Sequence, residues 1–242
     1  MIRRVGILGG MGPQATILVM QKLLDAVPAS DDADHIPLIV DQNPQVPSRI
    51  RHLFEGNGED PGPVLAEMAR RLAAGGAAAL AMPCNTAHHY AKSITSAVNV
   101  PFLDMVALSV AHASERVHAG GRVGILASPA VRKVALFDAP LAARQLTAVY
   151  PSDEAAMLAA IRRIKAGDTG LQAREVLKAA SEELLREGAR VQMIACTEFS
   201  LIADSVAEGA EAFDTLDILV AAIRDFAFST GGTEKQPQKR FG

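Results

Sequence analysis

Cys84 and Cys196 are the only two thiols in a chain of 242 residues. Each directly follows an apolar run, Ala77 to Met82 in one case and Val191 to Ala195 in the other, and each precedes a helical pattern. A thiol entering a helix sits in the partial positive charge of the helix N-terminus, which moves its pKa below the usual ~8.5 toward the thiolate. The neighbours Asn85, Thr86 and Thr197 add amide and hydroxyl donors to the free backbone N–H groups of a helix start, a combination that suits an anion. Two cysteines this far apart form no CxxC pair, nor can they by themselves supply a thiolate metal site. A lone buried cysteine is otherwise a small hydrophobe. Matching positions and polar flanks favour a functional pair.

The elements that must position these thiols are legible as an alternation. Val5 to Leu8, His35 to Val40, Ala77 to Met82, Val100 to Leu103, Val123 to Leu126, Leu146 to Tyr150 and Val191 to Ala195 read as strands. Between them lie apolar residues at helical spacing, such as Ile17, Met20, Leu23 and Leu24, or Val64, Leu65, Met68 and Leu72. Strands alternating with helices predict an α/β fold with parallel sheets. The alternation also repeats. Val5-Gly6-Ile7-Leu8-Gly9 returns as Val123-Gly124-Ile125-Leu126-Ala127, and each copy is followed at a similar distance by its single cysteine. Two pseudo-symmetric lobes are therefore expected. The first comprises 1–106 plus 214–242, and the second 107–213. The amphipathic run Leu216, Leu219, Val220, Ile223, Phe226 should pack back on the first lobe, and the polar tail from Ser229 reads as frayed.

Ligands of open α/β sheets bind outside the carboxyl ends of the strands. With the lobes facing each other, the two thiols flank one ligand from opposite sides. Acid/base groups on opposite faces of one carbon permit deprotonation on one side and reprotonation on the other. That is stereoinversion, and it needs neither metal nor pyridoxal. A gap of ~10 pKa units between carbon acid and base demands ~14 kcal/mol of transition-state stabilisation, within reach of oriented donors around a developing enolate.

Composition narrows the partners. Lys plus Arg number 24 and Asp plus Glu 27, a net charge of −3 that offers no electrostatic reason to bind nucleic acid or an anionic membrane. With 49% hydrophobic and 21% charged residues the chain is globular, and with 4% aromatics and no Trp its core must be alanine and aliphatic residues. The apolar run after Met1-Ile2-Arg3-Arg4 stops at Gly9-Gly10, too early for a signal segment, and nothing approaches the ~20 apolar residues of a membrane span. A cytoplasmic setting with free thiols is expected.

Three stretches together resemble the cofactor-independent aspartate/glutamate racemase superfamily, on its aspartate racemase branch. They are Gly6-Ile7-Leu8-Gly9-Gly10-Met11-Gly12-Pro13, Met82-Pro83-Cys84-Asn85-Thr86-Ala87-His88 and Ala195-Cys196-Thr197-Glu198. Asn43-Pro44-Gln45-Val46-Pro47-Ser48-Arg49 and Lys165-Ala166-Gly167 match as well, so the resemblance runs from Ile2 to Phe228. It implies two Rossmann-like lobes with the active site in the cleft between them, a homodimer, no cofactor or metal, and an amino-acid substrate. It implies Cys84 and Cys196 as the acid/base pair, with Asn85, Thr86 and Thr197 on the α-carboxylate. It further implies Arg49 and Lys165 on the side-chain carboxylate, Met11 lining the pocket, and a contribution from Gln45. A second carboxylate in a closed cleft needs cationic partners. Glutamate racemases of the superfamily instead open with Asp-Ser-Gly and carry His after the second Cys-Thr. Here the opening is Gly9-Gly10-Met11-Gly12 and that residue is Glu198, which favours aspartate.

Weaker signals remain. Gly10-x-Gly12-x-x-Ala15 with Asp41 matches a dinucleotide fingerprint loosely, and the second lobe lacks its glycines. His88 and His89 are adjacent, so only one can join a thiolate, and partial exposure is their expected fate. Asp31, Asp32, Asp34 and His35 read as a solvated acidic cluster. Gly56-Asn57-Gly58 and Asp60-Pro61-Gly62-Pro63 read as a lid following Arg49. The expected activity is racemisation of aspartate. The alternatives are a broad-specificity or glutamate racemase, another reaction of the superfamily, or a protein that binds a dicarboxylate without turnover.

Overall fold

The computed structural model describes residues 1–229; the expected frayed tail, Ser229 apart, lies outside them. The first half runs β1 (Val5–Gly9), α1 (Pro13–Asp25), β2 (Leu38–Gln42), α2 (Gly62–Ala74), β3 (Ala79–Ala81), α3 (Ala91–Thr95), β4 (Phe102–Leu103) and α4 (Met105–Ser114). The second repeats the plan with β5 (Arg122–Leu126), α5 (Pro129–Lys133), α6 (Asp138–Ala142) and β6 (Thr147–Val149). It continues with α7 (Glu154–Lys165), α8 (Leu171–Arg186), β7 (Val191–Ile194), β8 (Glu211–Asp214) and α9 (Thr215–Phe228). The chain thus forms two four-stranded parallel sheets, ordered β2-β1-β3-β4 and β6-β5-β7-β8. The α/β fold of two parallel lobes is the one the repeat predicts. β8 is absent from the sequence reading because it is an edge strand with one large apolar residue, Phe213, and two exposed ones, Glu211 and Ala212.

The central strands β1, β3 and β7 are buried throughout, as strands covered by helices on both faces must be. Helix α1 begins on Gly12 with Pro13 at its first position, where a missing N–H costs nothing. Its apolar face, Ala15, Val19 and Leu23, joins Val5 and Ile7 in the first core. Leu216, Leu219, Val220 and Ile223 of α9 enter the same core, against α1 and α4. Helix α4 straddles the join. Met105 belongs to that first core, whereas Val106, Val110 and Ala113 pack with Val123, Phe137 and Met193 in the second. A buried Leu or Ile is worth roughly 1.5–3 kcal/mol, so α4 and α9 tie the lobes by several side chains each.

The β1–α1 turn is shaped by Gly10. Its φ of +91° lies in the region side chains avoid, and a Cβ there would stand 2.4 Å from the Asn43 backbone. The chain after β2 can therefore run close over this turn and deliver Arg49. No helix of the described residues is long and apolar enough to cross a membrane.

Candidate active site

A cleft of about 480 Å³ opens between the lobes. Its wall includes Met11, Arg49 and Cys84 from the first lobe, and Ser128, Lys165 and Glu198 from the second. The loops at the carboxyl ends of β1, β3, β5 and β7 supply Met11, Cys84, Ser128 and Glu198 to this one wall.

In the first lobe, β3 leads through Met82-Pro83 to Cys84, buried at the start of a short 3-10 turn, Thr86–Tyr90. The turn is pinned by His88, which donates from Nδ1 to the Cys84 carbonyl (2.8 Å) and accepts at Nε2 from the Met105 N–H (3.1 Å). Those two bonds fix one neutral tautomer. Burial holds the imidazole pKa below its usual value, with Asp104 opposing. His88 is thus a buried strut, not the partly exposed side chain expected, while His89 is exposed. Asn85 is buried, donating from Nδ2 to Thr215 Oγ1 at 2.9 Å, and its Oδ1 finds no partner among the described residues. Thr86 Oγ1 meets Ser128 Oγ across the cleft at 3.1 Å.

Arg49 sits at the rim. Its guanidinium donates to the carbonyls of Val46 (3.2 Å), Pro47 (3.0 Å) and Met11 (3.4 Å), and its buried Nε has no partner among the described residues. Backbone oxygens hold the fork without neutralising it, so the cation remains open to an anionic ligand. The structure leaves Gln45 out of the cleft wall. Its N–H donates to Asn43 Oδ1 (3.0 Å) in the turn before Val46, and its side chain is exposed.

In the second lobe, β7 leads to Cys196, buried at the matching junction, and then to Thr197, also buried. Both stand behind the cleft wall, whose surface here is Glu198. In the sequence Glu198 marks only the branch of the superfamily that the chain resembles. Its Oε1 pairs with the Lys165 ammonium at the end of α7, and its Oε2 accepts from Cys196 Sγ at 3.1 Å. Burial, with the neighbouring Glu198 charge and hydrogen bond, pushes the Cys196 thiol well above its ordinary pKa, against the pull of Lys165. For Lys165, burial works against the charge, but the Glu198 carboxylate and its hydrogen bond outweigh it and leave the pKa raised. Two signals could have exposed Glu198 from sequence: a carboxylate at a buried strand–helix junction, and its alignment with the neutral Thr86 in the repeat. Ser128 was missed for a related reason, since it caps α5 where Gly12 caps α1.

The other signals resolve simply. Asp41 pairs with Arg71 (2.6 Å) and is engaged as a surface ion pair. Asp31 and Asp34 form a capping box on an exposed turn, and no cluster of metal-ligating side chains occurs among the described residues. The segment expected as a lid, Gly56 to Pro63, follows a π-helical turn, Ile50–Glu55, that borders the cleft and is held from the second lobe. Lys133 Nζ donates to the Phe54 carbonyl (2.7 Å), and Arg162 pairs with Glu55 (2.8 Å).

Comparison with known proteins bears on the same residues. The family model for Asp/Glu/hydantoin racemases matches residues 8–223. The chain is 31% identical over 106 residues to the broad specificity amino-acid racemase RacX of Bacillus subtilis, a match covering 42% of this chain and 45% of that one, so it spans under half of this relative. The Picrophilus torridus aspartate racemase superposes with a TM-score of 0.83 at 28% identity, over 93% of this chain and 94% of that one. A Francisella tularensis glutamate racemase in complex with D-glutamate shares the fold, with a TM-score of 0.65 at 16% identity over 93% and 81% of the two chains. With a family model covering both strand–cysteine junctions, the chain belongs to the Asp/Glu/hydantoin racemase family.

Proposed function

We propose that the protein is an amino-acid racemase that interconverts L- and D-aspartate without a cofactor, by proton transfer at Cα between Cys84 and Cys196. The observation that carries this reading is the placement of one cysteine per lobe at equivalent junctions after a buried strand, with the Lys165–Glu198 pair beside Cys196 on the wall of the shared cleft. One thiol removes the Cα proton and the other returns a proton to the opposite face. Asn85, Thr86 and Thr197, with the N–H groups of their turns, hold the α-carboxylate. Arg49 and Lys165 take the side-chain carboxylate, the reason two cations border a cleft that already holds an acid. Met11 closes one wall.

Incubation of either aspartate enantiomer in D2O should yield the opposite enantiomer with deuterium at Cα. Absence of exchange across acidic and neutral amino acids would defeat the proposal, and saturable dicarboxylate binding without exchange would point to a non-catalytic binder. A second reading, broad amino-acid specificity, is favoured by the similarity to the Bacillus subtilis enzyme. Comparable turnover of neutral amino acids would select it. The reading includes a homodimer. Ile17, Met20 and Leu24 leave an exposed apolar stripe on α1 that a second copy would cover.

A further inference from the structure

Glu198 is engaged twice. It gives Oε1 to the Lys165 ammonium and Oε2 to Cys196 Sγ, 3.1 Å away. An ionised carboxylate only accepts, so the proton on the sulfur–oxygen line belongs to the thiol. Among the described residues the Cys84 turn has no such partner, because the residue two positions on is Thr86, hydrogen-bonded to Ser128. Were Cys196 to lose its proton to solvent beside an ionised Glu198, two anions would stand 3.1 Å apart in a buried site. We propose that Cys196 and Glu198 act as one acid/base unit that always retains at least one proton, and that Glu198 takes the thiol proton when the substrate's side-chain carboxylate draws Lys165 away.

The inference rests on the racemase reading and supplies the proton inventory that reading needs. The resting unit holds S–H and COO⁻. Transfer of the proton from Sγ to Oε2 gives S⁻ and COOH. The thiolate then takes the Cα proton. The C–H bond breaks, an S–H bond forms, and the electron pair stays on the substrate as an enolate. Cys84 gives its thiol proton to the opposite face and becomes a thiolate, while the unit holds two protons. Passage of one proton from the unit to Cys84 through solvent restores the start. Lys165 sets the first step, since its charge on Oε1 favours the carboxylate. Once it turns to a substrate carboxylate, the proton affinity of Glu198 rises. Glu198 acts through Cys196 and is a positioning residue.

Racemisation rates in the two directions are thermodynamically linked, so the test uses a reaction that needs one base only. Abstraction of the Cα proton from either enantiomer of threo-3-chloroaspartate expels chloride, and chloride release reports each thiol separately. Cys84→Ser and Cys196→Ser assign one enantiomer to each thiol. Glu198→Gln keeps the shape and a hydrogen-bond acceptor for the thiol but cannot hold the shuttled proton. It should lower kcat by about 10²-fold for the Cys196 enantiomer, leave kcat for the other within a few-fold, and Glu198→Asp should recover part of the loss. Equal effects of Glu198→Gln on both enantiomers, or on neither, overturn the unit. Failure of the unaltered protein to release chloride from either enantiomer overturns the racemase reading instead. With β-chloroalanine, which leaves Lys165 on Glu198, the unaltered protein should release chloride from the Cys196 enantiomer more slowly relative to its mirror image than it does with chloroaspartate, and an unchanged ratio overturns the Lys165 step.

Discussion

The two cysteine turns share a scaffold and differ in where they put protons. Asn85 aligns with Thr197, Thr86 with Glu198, His88 with Ser200, and the helix caps Asp104 and Asp214 close the two lobes in register. In both, the residue two after the cysteine faces the first helix of the opposite lobe. Thr86 meets the α5 cap Ser128, and Glu198 lies 3.6 Å from the point where a Cβ on the α1 cap Gly12 would sit. At this position the first turn thus carries a neutral hydroxyl, whereas the second sets a carboxylate on its thiol. A two-base inversion needs one thiol protonated while the other is not, and identical environments would give no preference. The inequivalence resides in side chains, while the strand–cysteine–helix geometry is kept.

Serine replacements strike this pairing hardest. Cys84→Ser and Cys196→Ser should each lower racemisation of aspartate by about 10³-fold, as loss of a positioned acid/base group does. Polarimetry with NMR of Cα exchange in D2O measures it, and full activity in either variant would show that the two turns are not partners. Arg49→Ala comes next. Removing a half-buried cation from a substrate carboxylate should lower kcat/KM for aspartate by about 10²-fold while sparing alanine. An equal loss on both amino acids would assign Arg49 to holding the Val46–Pro47 turn.

Much of this was open to reading in the sequence, because the repeat places two Val-Gly-Ile-Leu strands and two cysteines in register. Lys165 and Arg49 were named there from motif resemblance, and both lie on the cleft wall. The carboxylate between Lys165 and Cys196 was not seen as a partner. A hydrogen bond from Sγ to Oε2 depends on the turn that folds Glu198 back over the thiol, which no residue spacing specifies. His88 failed in the opposite sense. A helix after Cys84 lets one of His88 and His89 face the thiol or solvent, but both ring nitrogens of His88 are consumed by the backbone of Cys84 and Met105. Strand β8 escaped because pairing with β7, not its own hydrophobicity, makes it a strand.

The lobe ends offer a smaller contrast that can be measured without substrate. Asp104 and Asp214 each follow a last strand and cap the next helix, Asp104 through the N–H groups of Val106 and Ala107, Asp214 through that of Leu216. Asp104 is partly exposed, whereas Asp214 is buried, accepts from Ser200 Oγ at 2.9 Å and leaves Oδ2 without a partner among the described residues. Burial raises the Asp214 pKa from 3.8 to about 6, against the cap and Ser200 bonds. Between those values the folded chain holds a proton that the unfolded chain has lost. The resulting stabilisation is complete below about pH 4 and is lost as pH rises through about 6. At ~1.4 kcal/mol per pH unit this amounts to about 3 kcal/mol. Asp214→Asn keeps a capping oxygen and cannot ionise, so its stability relative to the unaltered protein should climb by about 3 kcal/mol between pH 4 and pH 7 in denaturant titrations. Asp104→Ala should cost only about 1 kcal/mol, the worth of a partly exposed cap. A flat difference for Asp214→Asn would make the two caps equivalent, and would confine the asymmetry between the lobes to the thiols themselves.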